Sequence, residues 1–251
     1  MKKLVAVLIL GLLTLVGCAE RRNSASSGGA AATGHATGAK AESIDRLNDS
    51  AQVLKELTNA PDNGIPNEVL AKAKCVAVVP SMIKGGFVFG GQHGRGVATC
   101  RTNNGWSAPA FFTMTGGSWG AQIGAEAVDV VMLVMNDQGM KDLLSSKFKL
   151  GAAASVAAGP VGREATANTD LSMKSGILTY SRARGLFAGL DLNGAVVQQD
   201  DESQDAFYGK DVTFGRVLQG GVSTPADAQP FLASVRESFH EARHQDAAER
   251  P

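Results

Sequence analysis

The sequence has 251 residues, of which 44% are hydrophobic and 30 are glycines. Lys and Arg together number 24, as do Asp and Glu, so the formal net charge is zero. Proteins that bind nucleic acid through a basic surface carry a positive excess, so this balance argues against a nucleic-acid partner and requires any anion site to be local.

The first residues, MKKLVAVLILGLLTLVGC, have the pattern of a bacterial lipoprotein signal. Two lysines precede an apolar run that is too short to span a bilayer comfortably, and a small residue stands before Cys18. The pattern predicts a signal peptide over residues 1–17 and acylation of Cys18; the alternative is an ordinary secretory signal with an incidental cysteine. By resemblance to sorted Gram-negative lipoproteins, Ala19 in place of Asp favours the outer membrane of the cell envelope.

Residues 18–41 consist mostly of Ser, Gly, Ala and Thr and show no apolar period, which is typical of a linker. We therefore predict a lipidated flexible tether here, followed by one folded domain over residues 42–251. A flexible coil of this length would hold the domain on the order of 25–30 Å from the membrane.

A helix is predicted over residues 42–58, because its apolar residues recur with helical spacing. Its polar face is mostly acidic, whereas a helix that lies on anionic lipid usually has a basic polar face. We therefore expect this helix to pack on the folded domain. The residues predicted to form its apolar face are Ile44, Leu47, Ala51, Leu54 and Leu57.

Short β-rich runs separated by glycines follow, interrupted by one short helix in DQGMKDLLSS, and the chain from Pro225 has helical periodicity. Strands joined by short glycine turns rather than by helices favour antiparallel pairing. The predicted class is α+β: a large antiparallel β-sheet or partly closed barrel of Gly-rich hairpins, with flanking N- and C-terminal helices.

Two cysteines remain in the predicted domain, Cys75 and Cys100. In the cell envelope an even pair favours a disulfide, and we place the two residues on the first and third strands of one sheet. Two buried thiols are the alternative.

The glycine-rich stretches KGGFVFGGQHGRGV and RGLFAGLDLNGAVV resemble each other at an offset of 100 residues. Each combines a basic residue, a Gly-aromatic run, a glycine turn and a returning strand, which suggests a repeated hairpin. The first stretch lacks the Gly-Lys-Ser/Thr end of a phosphate-binding loop and is not followed by a helix, so its glycines are interpreted as structural.

Two motifs of enzymes occur, both in unsuitable surroundings. HEARH, from His240 to His244, fits the zinc-protease pattern, but it lies in the last turns of the chain and needs a third ligand from elsewhere. GGSWG fits a nucleophile elbow around Ser118, but β-like sequence flanks it on both sides and no βαβ rhythm is present. We therefore expect no catalysis, no metal and no cofactor.

Several long motifs resemble the SYLF domain family, in the order in which that family has them. They run from about Ile65 to Gly221 and are IPNEVLAKAKCVAVVP, KGGFVFGGQHGRGVATCR, GWSAPAFF, GGSWGAQIGAEAVDVVMLVM, FKLGAAASVAAGPVGR, YSRARGLFAGLDL and FYG. The resemblance implies a non-enzymatic lipid-binding module, associated in eukaryotic relatives with phosphoinositides and, in some, with actin.

Within these motifs, the basic residues beside the glycine turns are the candidates for anionic headgroups, because several of them near a charged surface contribute additively. These candidates are Lys84, Arg95, Arg182 and Arg184. Solvated surface charges are the alternative for each. The predicted function is lipid binding by a membrane-anchored lipoprotein, and the alternative is a structural or protein-interaction role in the envelope, including a host actin-related one.

Overall fold

The helices and strands occur in blocks along the chain. The structure is a computed structural model that describes residues 28–60, 64–86, 89–119, 124–151, 156–160, 175–183, 186–189, 192 and 194–249. Its helices are α1 (Gly28–Thr58), α2 (Asn67–Lys72), α3 (Asp137–Leu144), α4 (Asp201–Tyr208), α5 (Phe214–Leu218) and α6 (Gln229–Glu249). Its strands are β1 (Cys75–Gly86), β2 (Phe89–Thr102), β3 (Gly105–Trp106), β4 (Ala110–Trp119), β5 (Gly124–Val134), β6 (Lys147–Lys149), β7 (Val156–Ala158), β8 (Ile177–Ala183), β9 (Leu186–Gly189) and β10 (Val196–Gln199).

The strands form one large sheet that curls into a half-barrel. Its main path is β6-β10-β4-β2-β1-β5-β8-β7, with β3 paired to β2 and β9 paired to β8. The described pairs are antiparallel except β7 with β8, whose connection is long enough for a parallel crossover. The predicted α+β class, with a large sheet and flanking helices, is confirmed.

Much of the sheet is buried on both faces, as the alternation along the first half of β1 shows. Cys75, Ala77 and Val79 belong to one hydrophobic core, whereas Val76 and Val78 belong to another. Helices α3 and α5 cover the first core, and α1, α2 and α6 cover the second. We call these sides the α3 face and the α1 face. None of the helices in the described part of the chain is long and apolar enough to cross a membrane.

Helix α1 is longer than the sequence predicts. It begins at Gly28, so it takes in the second half of the segment predicted as a tether. Alanines raise helix propensity there, and tertiary contacts of the fold begin as early as Ala39, which is buried. As predicted, the helix packs on the domain through a buried stripe that includes Leu47, Leu54 and Leu57.

The two predicted glycine hairpins are wrong in detail. In the first stretch, β1 continues to Gly86 and β2 already begins at Phe89, so GGFVFGG is not a separate strand. In the second stretch, β9 pairs with β8 whereas β10 pairs with β4 and β6. The two arms of that stretch are therefore not hairpin partners, and the resemblance in sequence does not correspond to a repeated topology.

Cys75 and Cys100 lie directly opposite each other on β1 and β2, and the structure joins them in a disulfide with a Cα–Cα distance of 4.0 Å. The sequence pattern predicts Cys100 on a third strand. It lies on the second, because the run that was read as the intervening strand is divided between β1 and β2.

Candidate functional site

Helix α1 is fixed to the rest of the domain by a buried ionic cluster around Asp200. Arg46 donates to the Asp200 Oδ2 atom at 3.1 Å and to the Ser203 hydroxyl at 3.1 Å, and its side chain is only 6% exposed. Asp200 caps α4, because its other oxygen accepts from the Ser203 amide at 3.1 Å. The cluster therefore joins two helices that are distant in sequence.

Arg95, a predicted headgroup residue, belongs to the same cluster. Its guanidinium donates to Glu42 at 2.8 Å, to the Ser203 hydroxyl at 2.9 Å and to Asp200 at 3.4 Å. Burial alone would lower the pKa of Arg95, but Glu42 and Asp200 outweigh it and raise that pKa. This cation is therefore neutralised within the molecule.

The electrostatics of Asp200 follow from its contacts. Burial would raise its pKa, but hydrogen bonds from Ser203 and the charge of Arg46 outweigh burial and hold the pKa below its usual value. Burial and the neighbouring charge of Arg95 lower the pKa of Arg46. The carboxylate is thus the group that keeps the two guanidinium groups together.

Arg182, another of the predicted headgroup residues, also binds carboxylates, near the C-terminal end of α1. Its Nη2 and Nε atoms donate to the Asp129 Oδ2 atom at 2.6 and 3.2 Å, and its Nη1 atom contacts Glu56 of α1. The other Asp129 oxygen accepts from the Ser81 amide at 2.9 Å, where β1 bulges and Ser81 has a φ of 50°. Arg182 therefore links α1 to the bulged part of the sheet.

Lys84 does not join these arginines. Strand alternation places it on the α3 face, at the register position between Gln92 and Glu126, whereas Arg95 and Arg182 lie on the α1 face. Burial lowers the pKa of the Lys84 ammonium, and Glu126 acts in the opposite direction. The remaining candidate, Arg184, and the predicted anchor Cys18 lie outside the described residues. The structure therefore does not bring the described candidates together in one patch.

A cleft that sequence reasoning missed lies between α6 and the turn from β2 to β3. It has a volume of about 790 Å³, and Arg101, Trp106, Arg236, Phe239 and Arg243 are among its lining residues. Arg236, His240 and Arg243 recur with helical spacing on α6, which is the only sequence signal of the cleft. Such a volume is typical of small-molecule sites.

Arg101 is the central cation of this cleft. Its guanidinium carbon lies 4.6 Å from the Trp106 ring centroid and 5.3 Å from that of Phe239, and the two rings contact each other edge to face at 4.7 Å. The Nε atom donates to the Ala73 carbonyl at 2.8 Å. The Nη2 atom is buried and has no hydrogen-bond partner among the described residues, so it retains donor capacity.

Neither enzyme motif is completed by the structure. The Nε2 atoms of His240 and His244 lie 3.1 Å apart on α6, but the described residues include no group of three His, Cys, Asp or Glu side chains that could hold a metal. Ser118 lies near the end of strand β4, and the next described element is strand β5 rather than the helix of a nucleophile elbow. The side chain of Ser118 lies outside the described residues.

Comparison with known proteins gives consistent similarities. Residues 115–238 match the family Ysc84, described as "Las17-binding protein actin regulator". The chain is 35% identical over 199 residues to "SH3 domain-containing YSC84-like protein 1" of Bos taurus, covering 76% of this chain and 58% of that protein. It is 35% identical over 188 residues to "Protein YSC84" of Saccharomyces cerevisiae, covering 73% of this chain and 40% of the yeast protein. The chain thus spans little more than half of the first of these relatives and less of the second.

Proposed function

The chain belongs to the Ysc84/SYLF family, and from this premise we propose that it is a non-enzymatic lipid-binding domain of a membrane-anchored envelope lipoprotein. The family assignment agrees with the resemblance found in the sequence. The observation that supports the lipid-binding part is the cleft around Arg101, and the lipoprotein part rests on the signal that ends at Cys18.

The chemistry of the cleft suits an anionic headgroup with an apolar neighbour. Three guanidinium groups, of Arg101, Arg236 and Arg243, line it, and a guanidinium matches the geometry of phosphate oxygens. Of its two carboxylates, Glu237 is engaged by Lys55 at 3.4 Å. The rings of Trp106 and Phe239 offer an apolar wall for the glycerol or the first part of an acyl chain.

The four basic residues named from the sequence have a smaller part in this proposal. Arg95 and Arg182 already bind carboxylates, so an incoming headgroup would have to compete with partly buried intramolecular ion pairs. Lys84 on the other face remains a candidate, and so does Arg184, which lies outside the described residues. The headgroup site is therefore assigned first to the cleft.

Headgroup binding is tested with the full chain in detergent and a soluble short-chain phospholipid as the probe. Trp106 lines the cleft, so its fluorescence, measured in a Trp119→Phe background, reports binding there. We expect dihexanoyl phosphatidylglycerol to bind at least tenfold more tightly than dihexanoyl phosphatidylcholine, and Arg236→Glu with Arg243→Glu to remove that preference.

The matched control changes Lys147 and Lys149 to Glu, because these exposed lysines of β6 alter the net charge equally and lie outside the cleft. Equal binding of the two lipids, or equal loss in both charge-reversed variants, contradicts the headgroup proposal.

The anchor is tested by fractionation and intact mass: Cys18→Ser is expected to lose the acyl mass and leave the membrane fraction.

A structural or protein-interaction role is the second candidate. The matched family is described by binding to Las17 and by actin regulation, and the chain is 34% identical over 175 residues to yeast "LAS seventeen-binding protein 3". A role with host actin would show as co-sedimentation of the chain with actin filaments that Arg236→Glu and Arg243→Glu leave unchanged.

A further inference from the structure

Two glycines on the sheet are not required to be glycine by any contact within the described part of the chain. Among the described residues, a Cβ added to Gly91 would meet no atom within 4 Å, and one added to Gly117 would meet only the Gly90 carbonyl oxygen at 4.0 Å. A Cβ at Gly96, by contrast, would lie 2.5 Å from the Phe112 ring. Glycine weakens a strand, and neither Gly91 nor Gly117 has a positive φ, so these two positions suit the close approach of another chain.

These glycines lie in a part of the sheet that α1 leaves uncovered. In one row across the sheet, Ala127 of β5, Ile83 of β1, His93 of β2 and Thr115 of β4 are neighbours, and all four are exposed. The next row toward the strand ends contains Gly85, Gly91 and Gly117. Strand alternation places both rows on the α1 face. We call this surface the glycine platform: Ile83, Gly91, His93, Thr115, Gly117 and Ala127.

The platform combines two glycines and an alanine with the exposed side chains of His93, Thr115 and Ile83. Ile83 is 59% exposed, and it is the only large hydrophobic side chain described as exposed in the part of the chain that the structure covers. Ile83 beside two glycines that leave the backbone accessible forms a surface on which another chain can pack closely.

The dimensions of the platform fit one helix beside α1. Gly91 is four residues beyond Arg95, which contacts α1, so at about 3.3 Å per residue it lies roughly 13 Å from that contact. Packed helices lie about 8–10 Å apart. The four strands β5, β1, β2 and β4 span roughly 15–19 Å, which is the length of about three helical turns.

The acidic residues of α1 indicate which side chains a bound helix would carry on the side that faces α1. A groove of about 340 Å³ runs between α1 and the platform, and Asp45, Asp49, Ile83 and His93 are among its lining residues. Arg46 and Arg95 line it as well, but their charges are already paired with Asp200 and Glu42. Asp45 and Asp49 are exposed, stand one turn apart, and make no ion pair with a described residue. Carboxylates in this position favour basic side chains on the incoming partner and disfavour an anionic membrane surface.

We propose that the glycine platform binds an amphipathic helix of a partner protein. The small or apolar face of that helix lies on Gly91 and Gly117 against Ile83, and its Lys or Arg flank faces Asp45 and Asp49. This mode differs from headgroup binding at Arg101, because it uses another surface and the opposite charge.

The test is selection of binders by the full chain from a displayed library of 14-residue amphipathic helices. The library is counter-selected against the variant Gly91→Val with Gly117→Val, which covers the platform. Val favours strands, so this variant is expected to fold, and its thermal unfolding is measured beside that of the wild type. Gln198→Val, at an exposed position of β10 outside the platform, is the matched control.

We expect helices with one Lys/Arg-rich flank to be enriched, with at least tenfold weaker binding to the double valine variant and unchanged binding to the control. Asp45→Lys with Asp49→Lys is expected to shift the enriched flank to Asp and Glu. The proposal is overturned if the enriched helices bind the double valine variant as tightly as the wild type, or if Asp45→Lys with Asp49→Lys leaves the enriched flank unchanged. It is also overturned by a decrease in binding of phosphatidylglycerol vesicles to the double valine variant without selection of any helix, because the platform would then be a membrane surface.

Discussion

Arg46 and Asp200 form an ion pair at 3.1 Å across 154 residues of sequence, and both side chains are more than nine-tenths buried. The pair joins α1 to the N-terminal end of α4. A buried charge whose partner is removed remains in a poorly solvating site. Removal of one member of the pair is therefore expected to lower the stability of the fold strongly.

The first prediction concerns the loss of this ion pair. Arg46→Leu is expected to lower the free energy of unfolding by about 3 kcal/mol, because Asp200 stays buried with Arg95 as a longer and partly exposed partner. Urea denaturation of the full chain measures the change. Lys55→Ala serves as the control, since its ion pair with Glu237 is exposed and is expected to contribute at most about 1 kcal/mol. Equal effects of the two substitutions would contradict the role given to the cluster.

The second prediction concerns pH. The pKa of Asp200 is lower in the folded protein than its ordinary value of about 3.9, so its ionised form stabilises the fold above that value and the contribution is lost as pH falls below it. The difference in unfolding free energy between wild type and Asp200→Asn is expected to be constant above about pH 5 and to narrow below about pH 4. A difference that stays constant down to pH 3 would show that the carboxylate is not stabilised by folding.

The third prediction compares two glycines of β2. Gly96→Ala places a methyl group 2.5 Å from the Phe112 ring and 2.7 Å from the Val78 carbonyl oxygen, and is expected to cost about 1–3 kcal/mol. Gly91→Ala meets open space, and is expected to leave stability unchanged or to raise it by up to about 1 kcal/mol. Thermal unfolding of both variants checks this. A loss of stability in Gly91→Ala would mean that this glycine has a structural role.

The fourth prediction concerns the bond between Cys75 and Cys100. Their sequence separation of 25 residues corresponds to a stabilisation of roughly 3 kcal/mol on loop entropy alone. Reductant is expected to increase the intact mass by two hydrogens and to lower the urea midpoint, and Cys75→Ala with Cys100→Ala should show the lower midpoint with or without reductant. An intact mass that reductant does not change would mean that the thiols are free.

The helical parts of the fold were accessible from sequence because their signal is local. The periodicity from Pro225 predicts a helix, and the apolar residues of α6 that follow it, Phe231, Val235, Phe239 and Ala242, are buried. The short helix α3 lies within DQGMKDLLSS and is capped by Asn136, which accepts from the Gly139 amide. Strand boundaries at the glycines were not accessible, since Gly85 and Gly91 fit a turn as well as a strand. Only the pairing with β4 and β5 decides that both belong to strands.

The candidate site was harder to predict, because charge neutralisation is a non-local property. The sequence shows Arg95 beside glycines, but it does not show that Asp200, 105 residues later, lies 3.4 Å from it. In the same way, Arg101 and Arg243 come together only through the packing of α6 against the β2–β3 turn. The sequence therefore shows which basic residues lie near a motif, whereas tertiary contacts decide whether their charges are free to bind a ligand.

The two attachments of α1 have a mechanical consequence. Glu42 is attached to Arg95 near one side of the sheet and Glu56 to Arg182 near the other, roughly 21 Å apart along the helix axis. A force applied to the N-terminal end of α1 acts along that axis, and the helix crosses the strands that carry both arginines. Both attachments and the buried leucines between them therefore bear the load together in shear, and the helix resists extraction far better than one that could be peeled off one turn at a time.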